Sequence, residues 1–236
     1  MSVNTNSVKL AGLASLAFAV LVSGRSMAAG FGVITLTDPA LGGMAAGQMA
    51  IPAGWVGHGI VAVDSCHVSQ AKYPVFRIHS ADGKMSAQAL QSYGWTWITG
   101  NPGLKAASGC LPLQGPVSPT EFLRLLVQHF LPQVHIVGPV PQSSQSGAQG
   151  GNSGALRVTV GSGAALNDGL MSAFVSCSAR PATDGSPAGG VCYAHATIFF
   201  APSGELDSLL QMVQHVPPFK VSQRWLTATR HTAPHR

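Results

Sequence analysis

The sequence predicts an α+β protein, an antiparallel β-sheet packed with two or three helices. Three observations carry that prediction. Short runs alternate apolar with polar residues, the period of a half-buried strand. Two stretches keep helical spacing between recognisable start and stop signals. Charged residues are only 9% of the 236, against 28 glycines and 16 prolines, a composition of loop-rich sheet proteins rather than helical bundles.

The chain opens with Lys9, an apolar run from Leu10 to Val22 and the small-x-small sequence Ser26-Met27-Ala28. That order is a secretory signal peptide over 1–28, and thirteen apolar residues are too few for a membrane span of about 20. No later stretch is long and apolar enough to be a transmembrane helix. Secreted or periplasmic placement follows as the expectation, with cleavage near Ala28. Removing Lys9 and Arg25 with the leader lowers the net charge from +5 to +3, dispersed without a Lys/Arg cluster, which argues against nucleic acid as a partner. The remainder reads as one domain over 29–230 with a frayed tail over 231–236.

Along that domain, "GQMAIPAGWVGHGIVAV" from Gly47 gives two short strands separated by Pro52-Ala53-Gly54. In "YPVFRIHSADGKMSAQALQ", Asp82-Gly83 favours a two-residue hairpin turn. The register it sets pairs Arg77 with Gln88, Ile78 with Ala87 and His79 with Ser86. One face is then apolar (Phe76, Ile78, Met85, Ala87, Ala89) and the other polar (Arg77, His79, Ser86, Gln88). Tyr93, Trp95 and Trp97 alternate in "SYGWTWIT" and would form an aromatic stripe on a strand. With Trp55 they are the candidate ligand-binding residues, a stacking platform for a small apolar or sugar ligand or for an envelope protein. The competing reading is that they fill the core.

"VSPTEFLRLLVQHFLPQV" is a helix: Ser118 caps it, Pro119 takes the first turn, Glu121 completes the capping box and Pro132 ends it. A strand at "HIVGPV" precedes residues 141–155, a Ser/Gly/Gln-rich segment with no apolar period, predicted as a flexible loop. "ALRVTV", "LMSAFVSC" and "GVCYAHATIFF" read as strands. "ELDSLLQMVQHV" is a second helix, and "VSQRWLTATR" a third around Trp225.

Four cysteines in an exported chain read as two disulfides. Cys177 and Cys192 flank a turn-rich loop between two strands, so they would staple a hairpin; Cys66–Cys110 follows by elimination. Zinc and thioredoxin-type centres both call for C-x-x-C pairs, which the chain lacks, so no metal and no cofactor is expected. Cys192 and His195 would point to opposite faces of a strand. Gly151-Asn152-Ser153-Gly154 resembles a protease nucleophile turn, but Asp64-Ser65-Cys66-His67 is the nearest string to the required histidine turn, and its cysteine stands on the wrong side. The eight carboxylates lie near turns, caps, helix starts or in the stapled loop; nine histidines match no ligand spacing, including His129 on a helix and His231/His235 in the tail.

The chain resembles the Mog1/PsbP-like group, with its DcrB-type and LpqN-type exported proteins. The resemblance lies in Ile51-Pro52-Ala53-Gly54-Trp55, the Ser80–Gly83 hairpin, the helix opening Ser118-Pro119-Thr120-Glu121-Phe122-Leu123, and "ATIFFAPSGEL" followed by a helix and Trp225. It implies an α/β/α sandwich and mostly non-enzymatic accessory or binding roles, with no catalytic set to carry over. An exported, non-catalytic binding or accessory protein of the bacterial cell envelope or periplasm is therefore the expectation. The alternatives are a secreted hydrolase whose site assembles only in the fold, and an interaction protein with the 141–155 segment as its contact arm.

Overall fold

A computed structural model of the chain describes residues 30–63, 66, 72–100, 110–141, 151–183 and 188–232. The predicted signal peptide, 1–28, and most of the predicted 141–155 loop lie outside them. The first elements are β1 (Phe31–Asp38), β2 (Met44–Pro52), β3 (Val56–Val63), β4 (Lys72–His79), β5 (Ser86–Ala89) and β6 (Tyr93–Ile98). After these come α1 (Pro119–Phe130), β7 (Val134–Pro139), β8 (Gly151–Val160), β9 (Asn167–Arg180) and β10 (Gly189–Pro202). Last are α2 (Leu206–Gln214), the two-residue β11 (Lys220–Val221) and α3 (Gln223–Thr232).

The strands form one sheet in the order β11-β2-β1-β3-β4-β5-β10-β9-β8-β7, with β6 beside β10 off that path. The sheet is mixed rather than purely antiparallel, because β3 runs parallel to β1. The chain leaves β2 through Pro52–Trp55 and enters β3 on the far side of β1, so the two predicted strands around Pro52 do not pair with each other. A large sheet with three helices places the protein broadly in the α+β class.

The predicted hairpin register is present: Arg77 faces Gln88, Ile78 faces Ala87 and His79 faces Ser86. Its turn differs. The Gly83 N–H donates to the Ser80 carbonyl at 2.8 Å, and the Met85 N–H goes to the Ser80 hydroxyl rather than to a backbone oxygen, so the loop is four residues long instead of two. Asp82 takes the Ser80 hydroxyl and the Lys84 N–H, and these bonds satisfy the wider loop.

Helix α1 begins where predicted, with the Ser118 hydroxyl accepting from the Glu121 N–H at 3.2 Å. It buries Phe122, Leu123, Leu126 and Val127 against Leu156, Val158, Met171, Ala173, Val175, Ala194, Ala196 and Ile198 of β8–β10. Helix α2 sets Leu206 and Leu209 on a separate cluster with Ile51, Ile78, Ala87 and Ala201, flanked by Leu170 and Phe199. Neighbouring residues of β9 and β10 therefore serve two different cores, as the two-residue side-chain period of a strand requires. Helix α3 lies against β2, and its Trp225 indole reaches Asp38.

The C-terminal end of the predicted 141–155 loop is strand instead. Residues 151–155 belong to β8 and pair with β9, Ser153 opposite Phe174 and Gly154 opposite Ala173. A Cβ on Gly154 would stand 2.7 Å from that of Pro119, so the glycine allows α1 to approach the sheet. The helix α3 also extends into the predicted tail, as far as Thr232.

Candidate functional site

Tyr93 is 2% exposed, Trp95 3% and Trp55 8%, which corrects the expectation of a stacking platform. Tyr93 and Trp95 sit in the core beneath α1, with Tyr93 edge-on to Phe122 at 5.7 Å and the Trp95 indole donating to the Gly115 carbonyl at 2.8 Å. Trp97 packs against that same core at its margin, while Trp55 belongs to the other cluster, under α2. The four rings share no surface. α1 covers the Tyr93 ring through Phe122, and the segment ahead of the helix covers Trp95 at Gly115.

Both predicted disulfides are present, Cys66–Cys110 and Cys177–Cys192. Cys177 and Cys192 stand directly opposite each other in β9 and β10 with Cα atoms 4.1 Å apart, a cross-strand staple. Among the described residues no three His, Cys, Asp or Glu side chains gather where they could hold a metal ion. His195 lies on the exposed face, away from the buried Cys192, and its ring stacks on Phe174 at 5.4 Å. Desolvation there lowers its pKa, which favours the neutral imidazole. Ser153, Phe174 and His195 form one cross-strand row, so Phe174 separates the serine from the histidine by two strand spacings, about 10 Å. That is beyond hydrogen-bond reach for a nucleophile and its base. His129 is bonded through Nδ1 to the Leu125 carbonyl of its own helix, and His235 lies outside the described residues.

Among the described residues a shallow groove runs along the end of α1, where the sheet changes its pairing. β5 accompanies β10 over Thr197–Phe200 and β6 accompanies it over Gly189–Ala194, and the chain between them departs from regular pairing at Leu90–Ser92. Two adjoining hollows result, of about 240 and about 220 Å³, and both are lined by Gln88, Leu90 and Leu131. The first continues to Arg77, Ser86 and Gln133 over a floor that includes Ile198 and Phe200. The second continues to Gln91, Leu126 and Phe130. The polar face of the β4–β5 hairpin thus becomes one wall, and the end of α1 the other.

Phe200 helps to keep the first hollow open. Its ring lies over Gly169 of β9, where an added Cβ would be 2.7 Å from ring carbons. Among the described residues Arg77 is the one charged side chain lining either hollow, and it takes part in no ion pair there. The described carboxylates nearest a cation are committed elsewhere: Asp38 to Lys72 at 2.7 Å, Asp82 to Lys84 at 3.7 Å and Asp207 to Arg157 at 3.6 Å. His58 stands directly across from Arg77 in β3.

Sequence reasoning placed Arg77, Ser86 and Gln88 on the polar side of the hairpin but did not connect that side to α1. The connection needs the order β5-β10-β9, which no local pattern reveals. Comparison with known proteins, by family model, by curated sequence and by solved structure, finds no match.

Proposed function

We propose that the protein is an exported, non-catalytic binding or accessory protein of the cell envelope, and that it meets its partner through the groove beside α1. On this reading its helices flank the sheet in a Mog1/PsbP-like manner. The observation that carries the proposal is the lining itself, an apolar floor with glutamine amides, a hydroxyl and a guanidinium that forms no ion pair among the described residues. Binding sites join apolar area, which supplies affinity, to a few placed polar groups, which supply orientation. Two disulfides and a sequence opening like a secretory leader fit the oxidising compartment assumed here.

The test is site-specific photocrosslinking in cells expressing the full-length chain. A photoreactive side chain at Gln88 should give a discrete adduct. The same probe at Thr96, an exposed position of β6, should give none. Adducts of equal yield from both positions, or from neither, would refute the groove as the contact site.

A further inference from the structure

We infer that the groove takes an extended peptide segment carrying a carboxylate, with the carboxylate at Arg77 and the chain running along α1 towards Phe130. The inference rests on the proposed binding role of the groove and names the ligand class.

Charge complementarity sets one end. Arg77 is exposed, lines the first hollow and has no ionic partner among the described residues. A guanidinium presents its donors as a planar fork that fits a carboxylate in two parallel hydrogen bonds. His58 beside it adds a further polar group, and among the described residues no carboxylate lines either hollow to compete for the position.

The amides choose between a peptide and a simple fatty acid. Gln88 borders both hollows and Gln133 the first, Ser86 lies at the Arg77 end, and the Gln91 amide already donates to Cys66 Sγ at 3.8 Å, which leaves Gln88 and Gln133 to meet a ligand. Each glutamine side chain offers a donor and an acceptor, the same pair that every peptide unit exposes. A hydrocarbon chain laid over them would bury amides without partners, at about 1–3 kcal/mol apiece. An extended peptide answers them with its backbone and sends alternate side chains down to Leu90, Ile198, Phe200 and Leu131. The peptide's apolar side chains supply the burial that the floor rewards, and its acidic residue or C-terminus supplies the anion.

Fluorescence polarisation on the mature, disulfide-bonded protein tests this. The probe is a fluorescein-labelled hexapeptide alternating valine with alanine and ending in aspartate with a free C-terminus. Its control ends in asparagine amide. Dodecanoate and a groove-filled variant, Leu90→Trp, complete the set. The acidic peptide should bind, lose at least tenfold in affinity with the amidated control and with Arg77→Gln, and be expelled by Leu90→Trp. Arg77 is exposed, so Arg77→Gln should keep the wild-type melting temperature.

Equal affinity for the acidic and amidated peptides would overturn the assignment of the carboxylate. Dodecanoate binding that Leu90→Trp abolishes, without peptide binding, would overturn the ligand class while leaving the groove as a binding site. No Leu90→Trp-sensitive binding of any probe would overturn the ligand class and count against the groove as well. Leu90→Trp is read only if it keeps the wild-type circular dichroism; otherwise Leu131→Trp fills the same groove from the helix side.

Discussion

Asp38 is a buried carboxylate that joins two distant parts of the chain. It is 1% exposed, and its carboxylate accepts from Lys72 Nζ and from the Trp225 indole, each at 2.7 Å, and from the Ala40 N–H at 3.0 Å. Burial alone would raise its pKa, but the bonds from Lys72 and Trp225 outweigh it and hold the carboxyl below its ordinary value. The stabilisation from such a depressed carboxyl is fully present above the unfolded value, about 3.9, and disappears as the pH falls through the folded one. Asp38→Asn should cost about 2 kcal/mol at neutral pH, the scale of a hydrogen bond to a charged group. In urea titrations from pH 7 to pH 2, the variant should also lose less stability below pH 4 than the wild type. An unchanged acid limb in the variant would place that sensitivity elsewhere. In the sequence Asp38 shows only as one of several carboxylates near turns; its partners are 34 and 187 residues away, beyond any local pattern.

At the scale of elements, the groove depends on one ring lying sideways between β9 and β10. Gly169→Ala should force Phe200 off β9 and into the first hollow. The expected signs are a stability loss of about 1–3 kcal/mol, as for overpacking, and loss of peptide binding, with the Cys177–Cys192 staple intact. A wild-type binding curve for Gly169→Ala would show that Phe200 does not gate the groove. Elements with local signatures were legible from sequence: α1 from its Ser118 cap to Pro132, and the β4–β5 register from Asp82-Gly83. β1 was not, because Ile34 and Leu36 face inward while Phe31 and Val33 are exposed, leaving apolar residues on both faces and no alternation to read. The 141–155 segment misled for a related reason: Gly151, Asn152, Ser153 and Gly154 have poor strand propensity, yet pairing with the long β9 and the approach of α1 make them strand. The aromatic stripe was visible as a stripe, but its burial depended on a helix arriving from elsewhere in the chain.

Across the whole molecule, the two disulfides close loops of different length, with 15 residues of separation for Cys177–Cys192 and 44 for Cys66–Cys110. The chain-entropy account gives about 3 and about 4 kcal/mol respectively. Replacing each pair by serine should therefore lower the melting temperature more for Cys66/Cys110 than for Cys177/Cys192. The opposite ranking would mean that the cross-strand staple also holds native structure that the 44-residue closure does not. The first bridge, Cys177–Cys192, braces the β9–β10 pair, and the second ties the chain ahead of α1 to Cys66, which packs on the core beneath that helix. Rigid walls are what a binding groove needs, since ordering them on association would subtract from affinity.

Hydrogen–deuterium exchange on the disulfide-bonded protein, with and without cell-envelope extract, tests the groove as the contact surface most directly. New protection is expected at Arg77, over Ser86–Tyr93 and over the stretch from Leu126 to Val134. Protection centred on the exposed Tyr193 and His195 face instead, or none anywhere, would contradict it.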